Sequence, residues 1–179
     1  MTFYLTFLLI FTLFAFVVER ENECYAVKDS FSAVPADTEG AVSVNENFQF
    51  LFSMYFWTQV INFIRSVLEA VQVKFDLEFL NWPIKILSFG ILLLFINLPL
   101  NHVYRLSHNG KVCSGDYLTL SEKDVYDELN VYMMARGTML WILLVICWIF
   151  ISAILCFLLG FVAYTFQVPA KEDEESHIN

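Results

Sequence analysis

Four long windows without a charged residue are the feature of this sequence that most restricts its fold. They are Met1–Val18, Asn47–Ile64, Ile86–Tyr104 and Gly137–Ala170. The first three are 18 or 19 residues long and the fourth is 34, whereas a helix crossing a bilayer needs about 20 mostly apolar residues. The windows therefore predict an all-α, polytopic membrane protein with a bundle of four transmembrane helices, or three if one window does not span.

The composition supports lipid as the solvent of this chain. Hydrophobic residues make up 58% of it and charged residues 16%, whereas a soluble domain carries about 25% charged residues. The formal net charge of −9 excludes nucleic acid as a partner, because phosphate recognition requires clustered Lys and Arg side chains.

Two of the windows allow an alternative interpretation. Met1–Val18 resembles the apolar region of a signal peptide, but no basic residue precedes it and no small-x-small cleavage pattern follows, which favours a retained span. Asn47–Ile64 contains Gln59 and Asn62, so this segment either spans the membrane or lies along its interface.

The polar segments between the windows set the predicted topology of a single membrane domain over residues 1–179. Glu19–Glu46 has seven acids and two bases and is predicted to be a loop with little regular structure. Asn101–Arg136 contains four of the ten bases and is predicted to be cytosolic, because orientation follows Lys and Arg. The acidic tail, residues 168–179, is then lumenal.

Within the cytosolic loop, Leu120–Leu129 (LSEKDVYDEL) has the pattern of a short amphipathic helix. Ser121 is a candidate helix cap with Asp124 three residues on, and Val125 and Leu129 lie on one helical face with Tyr126 beside them. An apolar stripe flanked by acids indicates a protein partner with a groove and a basic rim.

The end of the third window contains the sequence Asn97-Leu98-Pro99. Pro99 removes one backbone hydrogen bond and is predicted to kink or end the helix. Irregular backbone at membrane depth must be satisfied by protein, so either a plain kink or a groove for a partner span accounts for it.

From about Leu92 onward the chain resembles the cornichon family, small polytopic cargo receptors of the early secretory pathway. The resemblance rests on the N-x-P ending, on Leu120–Leu129 with Asp and Tyr where the family has Glu and Phe, and on the acidic tail. The N-terminal half lacks the family's Asn-Pro loop and Pro-Glu opening.

The resemblance implies a cargo receptor for vesicles between the endoplasmic reticulum and Golgi membranes. Its partners would be integral membrane cargo proteins, the lipid bilayer and the COPII coat. The implied coat-binding residues are Leu120, Asp124, Val125, Tyr126 and Leu129. The implied cargo groove comprises Asn97, Pro99 and Tyr104. The alternative function is that of a structural or auxiliary subunit of a multi-protein membrane complex.

The sequence offers little chemistry for catalysis. The three histidines, His102, His108 and His177, do not form a metal-ligand set, and no nucleophile or phosphate-loop motif is present. We therefore expect no enzyme, cofactor or metal. The cysteines show no C-x-x-C spacing and are predicted to be structural thiols: Cys24, Cys113, Cys147 and Cys156.

Overall fold

The computed structural model describes residues 2–119, 122–123 and 131–167. It divides into two compact units, Met1–Ile142 and Leu143–Asn179. The structure is mostly helical, which confirms the predicted fold class at that level. Its elements are α1 (Thr2–Phe16), β1 (Tyr25–Ala26), β2 (Val42–Ser43), α2 (Asn45–Phe75), a 3-10 turn (Glu78–Leu80), α3 (Asn81–Leu87), α4 (Gly90–Leu106), α5 (His108–Cys113) and α6 (Met134–Gln167).

Helix α1 is apolar on all sides, and two of its hydroxyl groups are bonded within the helix. The Thr6 hydroxyl donates to the Thr2 carbonyl at 3.1 Å, and the Thr12 hydroxyl donates to the Leu8 carbonyl at 2.7 Å. Hydroxyls bonded one turn back in this way suit a helix in an apolar environment.

Helix α1 packs antiparallel against the first half of α2 through aromatic rings. Phe11 stacks on Tyr55 with ring centroids 5.2 Å apart, and Phe14 stacks on Phe52 at 5.4 Å. At the same end of the pair, Gln49 Nε2 donates to the Ala15 carbonyl at 2.7 Å. This bond satisfies a carbonyl in the last turn of α1, which has no partner within its own helix.

Helix α2 also packs antiparallel against α4, and this contact is polar. Thr58 and Tyr55 of α2 meet Asn97 and Asn101 of α4, respectively. Further along, Gly90 allows close approach, since a Cβ there would lie 2.8 Å from Ile61 Cγ2.

The first residues of α6 lie within the first unit and pack beside the end of α4. The Leu140 carbonyl accepts from Asn101 Nδ2 at 3.1 Å, and the Gly137 carbonyl accepts from Arg105 Nε at 2.7 Å. Gly137 has no room for a side chain, because a Cβ at this position would overlap Ser114.

The end of α1, the start of α2, the end of α4 and the start of α6 meet at one end of this unit. The segments that join them form what we call the cap, residues 17–44, 107–119 and 131–133. In it, β1 and β2 pair antiparallel, with Tyr25 opposite Ser43 and Ala26 opposite Val42. The segment predicted to have little regular structure thus contains a small sheet.

Two stretches of the described chain are long and apolar enough to cross a membrane, Glu78–Leu106 and Met134–Tyr164. Only 12% and 11% of their most apolar windows are buried, whereas the core helix of a soluble protein is mostly buried. Helix α1, with 15 residues, rises about 22 Å, which is short of the ~30 Å hydrocarbon core. A bundle of four spans therefore stays a prediction.

Candidate functional site

The residues predicted to bind the coat lie outside the described part of the chain: Leu120, Asp124, Val125, Tyr126 and Leu129. Ser121, the predicted cap, lies outside it as well. Just before it, the backbone N–H and the hydroxyl of Thr119 donate to Glu122 Oε2 at 2.8 and 2.7 Å. This is the spacing of a capping box, two residues earlier than predicted. Both hydrogen bonds lower the pKa of Glu122, and the bond from the Thr119 backbone N–H contributes more than the bond from its hydroxyl.

The three residues predicted to form a cargo groove differ in exposure. Asn97 is fully buried and donates from Nδ2 to Thr58 Oγ1 at 3.2 Å, whereas Pro99 is exposed and Tyr104 is half-buried. Helix α4 continues past Pro99 to Leu106, so the proline does not end it. The Asn97 side chain faces a neighbouring helix of its own unit, and cargo binding stays a prediction.

Cys24 and Cys113 form a disulfide inside the cap, across 89 residues of sequence. Both are fully buried, and their carbonyls accept from Val44 N–H at 3.0 Å and Met133 N–H at 2.8 Å. The prediction of thiols is therefore wrong for this pair, while Cys147 and Cys156 are free, as predicted. No spacing rule identifies such a pair, because the fold alone brings the two segments together.

The residues around Cys113 each have a structural role that the sequence reading overlooked. Ser107 caps α5 by accepting from Gly110 N–H at 3.1 Å. Gly115 has a φ of 68°, a left-handed conformation that favours glycine. Ser114 donates to the Gly110 carbonyl at 2.7 Å and lies against α6. The segment Ser107–Asp116 therefore carries Cys113 and packs, through Ser114, against the start of α6.

Arg105, at the end of α4, is held by a forked pair of bonds to the same segment. Its Nη1 and Nη2 atoms donate to the two Asp116 carboxylate oxygens, each at 2.8 Å, while Nε donates to the Gly137 carbonyl. The arginine side chain is 4% exposed and the aspartate 34%. Paired, charge-assisted bonds of this kind fix geometry, so Arg105 joins α4, the cap and α6.

Arg136, in the first turn of α6, is fully buried. Among the described hydrogen bonds, its guanidinium group donates to amide oxygens and to no carboxylate. Its Nη2 atom donates to Gln49 Oε1 at 2.9 Å, and its Nη1 atom donates to Asn45 Oδ1 at 3.4 Å. The guanidinium carbon lies 5.8 Å from the centre of the Phe52 ring. The Glu19 carboxylate instead accepts from the backbone N–H groups of Ala135 and Arg136.

Three aromatic side chains form a partly exposed cluster on the cap. Phe31 packs against His108 and Tyr117 with ring centroids 5.8 and 5.2 Å apart, and His108 Nε2 lies 2.8 Å from the Ser30 carbonyl. These contacts join the segment after β1 to α5, and the rings are too close together to enclose a ligand between them.

Within the described ranges, no three His, Cys, Asp or Glu side chains are placed to hold a metal ion. A groove of about 570 Å³ at the end of α1 is lined by Phe16, Val17, Glu19, Arg20, Glu21 and Asn22. The site thus consists of the disulfide-linked cap and the polar contact between α2 and α4. The polar side chains described in it bond mainly to other groups of the same chain.

Together these features define a mostly helical protein whose described residues include two helical stretches long and apolar enough to span a membrane. No family model, no curated protein and no solved structure matches the chain.

Proposed function

We propose that this chain is a multi-pass membrane protein whose cap faces an oxidising compartment, and that it acts as a non-enzymatic auxiliary subunit for an integral membrane partner. The buried Cys24–Cys113 disulfide carries this proposal. Stable disulfides form in the secretory pathway and at the cell surface, while the cytosol keeps thiols reduced. The cap would then lie in the lumen or outside the cell.

This orientation is opposite to the one that the Lys and Arg count predicts. Of the four bases in Asn101–Arg136, Arg105 and Arg136 are buried and bonded to the protein. Only the charges of Lys111 and Lys123 remain available to act at the membrane surface. Two of the four basic side chains that carried the predicted orientation are therefore buried in the protein. For this reason we base the orientation on the disulfide.

Helix α2 has the surface of a further span, although its average hydropathy is low. Its polar side chains Thr58 and Asn62 face inward, while Phe50, Trp57 and Ile64 are exposed at 45% or more. A polar inner face and an apolar outer face suit a helix whose outside is lipid. This supports the predicted span over Asn47–Ile64, and with it a four-span arrangement.

The second unit supports the assignment of a partner-binding role. Its helix continues to Gln167 without a charged residue, and side chains such as Ile149, Phe157 and Leu159 are more than 60% exposed. With no reactive cluster in the described residues, the surface this unit offers is apolar and suited to lipid or to a partner's transmembrane helix.

The cornichon-like function, a cargo receptor that contacts COPII, requires residues 120–129 in the cytosol. The same loop contains Cys113, which the disulfide ties to the other cap segment. A loop in an oxidising compartment cannot reach a cytosolic coat. Cargo binding through the spans is compatible with our proposal, whereas coat contact through Val125, Tyr126 and Leu129 is not.

Glycosylation mapping tests the orientation with single substitutions. The natural sequence contains no N-x-S/T acceptor, so the background is clean. Ala36→Asn creates an acceptor with Thr38 on the exposed cap, and Glu174→Asn creates one with Ser176 in the tail. We expect glycan on the first variant and none on the second. Glycan on the tail variant alone would overturn the orientation.

Site-specific photo-crosslinking tests the auxiliary role itself. A photoreactive amino acid placed singly at Ile149, Phe157 or Leu159 should give adducts of discrete protein mass in intact membranes. The matched control is Phe11, which is buried against α2 and should give none. Adducts to lipid alone at all three exposed positions would contradict a partner-binding function.

A further inference from the structure

Two buried amide oxygens on α4, Asn97 Oδ1 and Asn101 Oδ1, have no hydrogen-bond partner among the described residues. Both side chains are fully buried, and their Nδ2 groups are already engaged. Asn97 donates to Thr58 Oγ1 at 3.2 Å; Asn101 donates to Tyr55 Oη at 3.3 Å and to the Leu140 carbonyl at 3.1 Å. Turning the Asn101 amide over would set two carbonyl oxygens against each other, so its orientation is fixed.

Asn97 and Asn101 extend from the same face of α4, because residues four apart on a helix lie on one face, about 6 Å apart along the axis. A water molecule that donates two hydrogen bonds of about 2.8 Å spans roughly 4.5 Å. Side-chain rotation can bring the two amide oxygens closer together than the helix rise separates their backbones. Buried acceptors in a polar site are where internal water is found in proteins, because each unpaired one destabilises the fold.

Other ligands fit this site poorly. A cation would meet only neutral oxygens, since none of the described hydrogen-bond partners of the two amides is charged, and it would share the unit with two buried arginines. An anion has no donor to bind, because both free atoms are acceptors. A neutral hydrogen-bond donor remains.

We propose that a buried water molecule bridges Asn97 Oδ1 and Asn101 Oδ1 in the contact between α2 and α4. This water completes the polar contact inside the apolar stretch Glu78–Leu106, where an unpaired amide oxygen is most costly. The site does not depend on which compartment the cap faces, so it and the proposed function are tested separately.

Radiolytic hydroxyl-radical labelling in ¹⁸O water tests the proposal, because radicals form at bound water even inside a protein. The probe is Tyr55, whose hydroxyl lies 3.3 Å from Asn101 Nδ2 and whose side chain is buried. Phe48, fully buried on the same helix, is the reference ring. In lipid nanodiscs we expect several-fold more ¹⁸O on Tyr55 than on Phe48. Equal, low labelling of both rings would overturn the proposal.

Two variants identify the atoms that hold the water. Asn97→Leu with Asn101→Leu removes both acceptors and should reduce Tyr55 labelling to the level of Phe48. Thr58→Val, the matched control, removes a neighbouring hydroxyl but keeps both amide oxygens, and should leave the labelling unchanged. Helical circular dichroism of each variant in the same nanodiscs reports folding. Unchanged Tyr55 labelling in a folded double variant would contradict the assignment of the water to these two oxygens. If the double variant does not fold, the comparison of Tyr55 with Phe48 in the wild-type protein tests whether the water is present.

Discussion

The backbone N–H of Arg136 donates to Glu19 Oε2 at 2.8 Å, although 117 residues separate the two in the chain. The Ala135 N–H donates to the other oxygen at 2.9 Å. The first N–H groups of a helix have no partner within it and carry partial positive charge, so a carboxylate there satisfies both needs. Glu19 has a φ of 48°, so its backbone takes a sharp, left-handed turn directly after α1.

Glu19→Gln should therefore weaken the start of α6. The amide keeps one acceptor oxygen but loses the second bond and the charge, and we expect a loss of about 0.5–2 kcal/mol of unfolding free energy. Thermal unfolding followed by circular dichroism measures it. Glu21→Gln, an exposed neighbour, is the control. Equal stabilities of the two variants would contradict the capping role.

Asp116→Asn should destabilise the junction of α4, the cap and α6. It would leave the buried Arg105 guanidinium with one neutral and one missing partner, for an expected loss of about 1–3 kcal/mol. The more exposed pair of Arg65 and Glu69, whose side chains are 27% and 44% exposed, is the matched control, and Glu69→Gln should cost no more than about 0.5 kcal/mol. Denaturant titration of both variants checks this, and similar losses would show that burial of Arg105 is unimportant.

Gly137→Ala tests the close approach of α6 to the segment around Ser114. The added methyl group would overlap Ser114, and overpacking of this kind costs about 1–3 kcal/mol. Gly160→Ala, on the same helix, is the control because nothing lies within 4 Å of its Cβ position. Its stability should be unchanged or slightly raised. A neutral Gly137→Ala variant would contradict the packing described for this contact.

The Thr119–Glu122 capping box predicts a pH dependence. The folded chain lowers the pKa of Glu122, so the ionised carboxylate stabilises the fold at neutral pH. This contribution is present above the unfolded pKa and is lost as pH falls through the lower folded pKa. Glu122→Gln should therefore have a lower Tm than the wild type at pH 7, and the difference should shrink in acid. A difference that grows in acid would rule out the box.

The helices were predictable because long windows without charge indicate helices with an apolar surface. The windows Ile86–Tyr104 and Gly137–Ala170 contain no charge, and the structure places long apolar helices over both regions. Helix α2 was harder to assign, because Gln49, Thr58 and Asn62 lower its hydropathy. In the structure these three side chains face the rest of the first unit, which leaves the outer surface of the helix apolar. Composition alone does not predict which way they face, because packing sets it.

The site was less predictable, since its members meet through long-range contacts. Cys24 and Cys113 follow no spacing motif, and their pairing depends on the cap bringing two distant segments together. Arg105 and Arg136 contributed to the orientation predicted from charge, but the structure shows both side chains buried in the fold. The sequence leaves open whether Asn97 faces a partner span, because its internal partner, Thr58, lies 39 residues away in the chain.

The redox state of Cys24 and Cys113 in living cells tests whether the cap lies in an oxidising compartment. In a Cys147→Ala, Cys156→Ala chain, free thiols are blocked with N-ethylmaleimide under denaturing lysis, and the protein is then reduced and treated with a polyethylene glycol maleimide. We predict that both remaining cysteines gain the heavy label, and only after reduction. Complete blocking by the first reagent, with no heavy label after reduction, would show reduced cysteines and contradict a cap in an oxidising compartment.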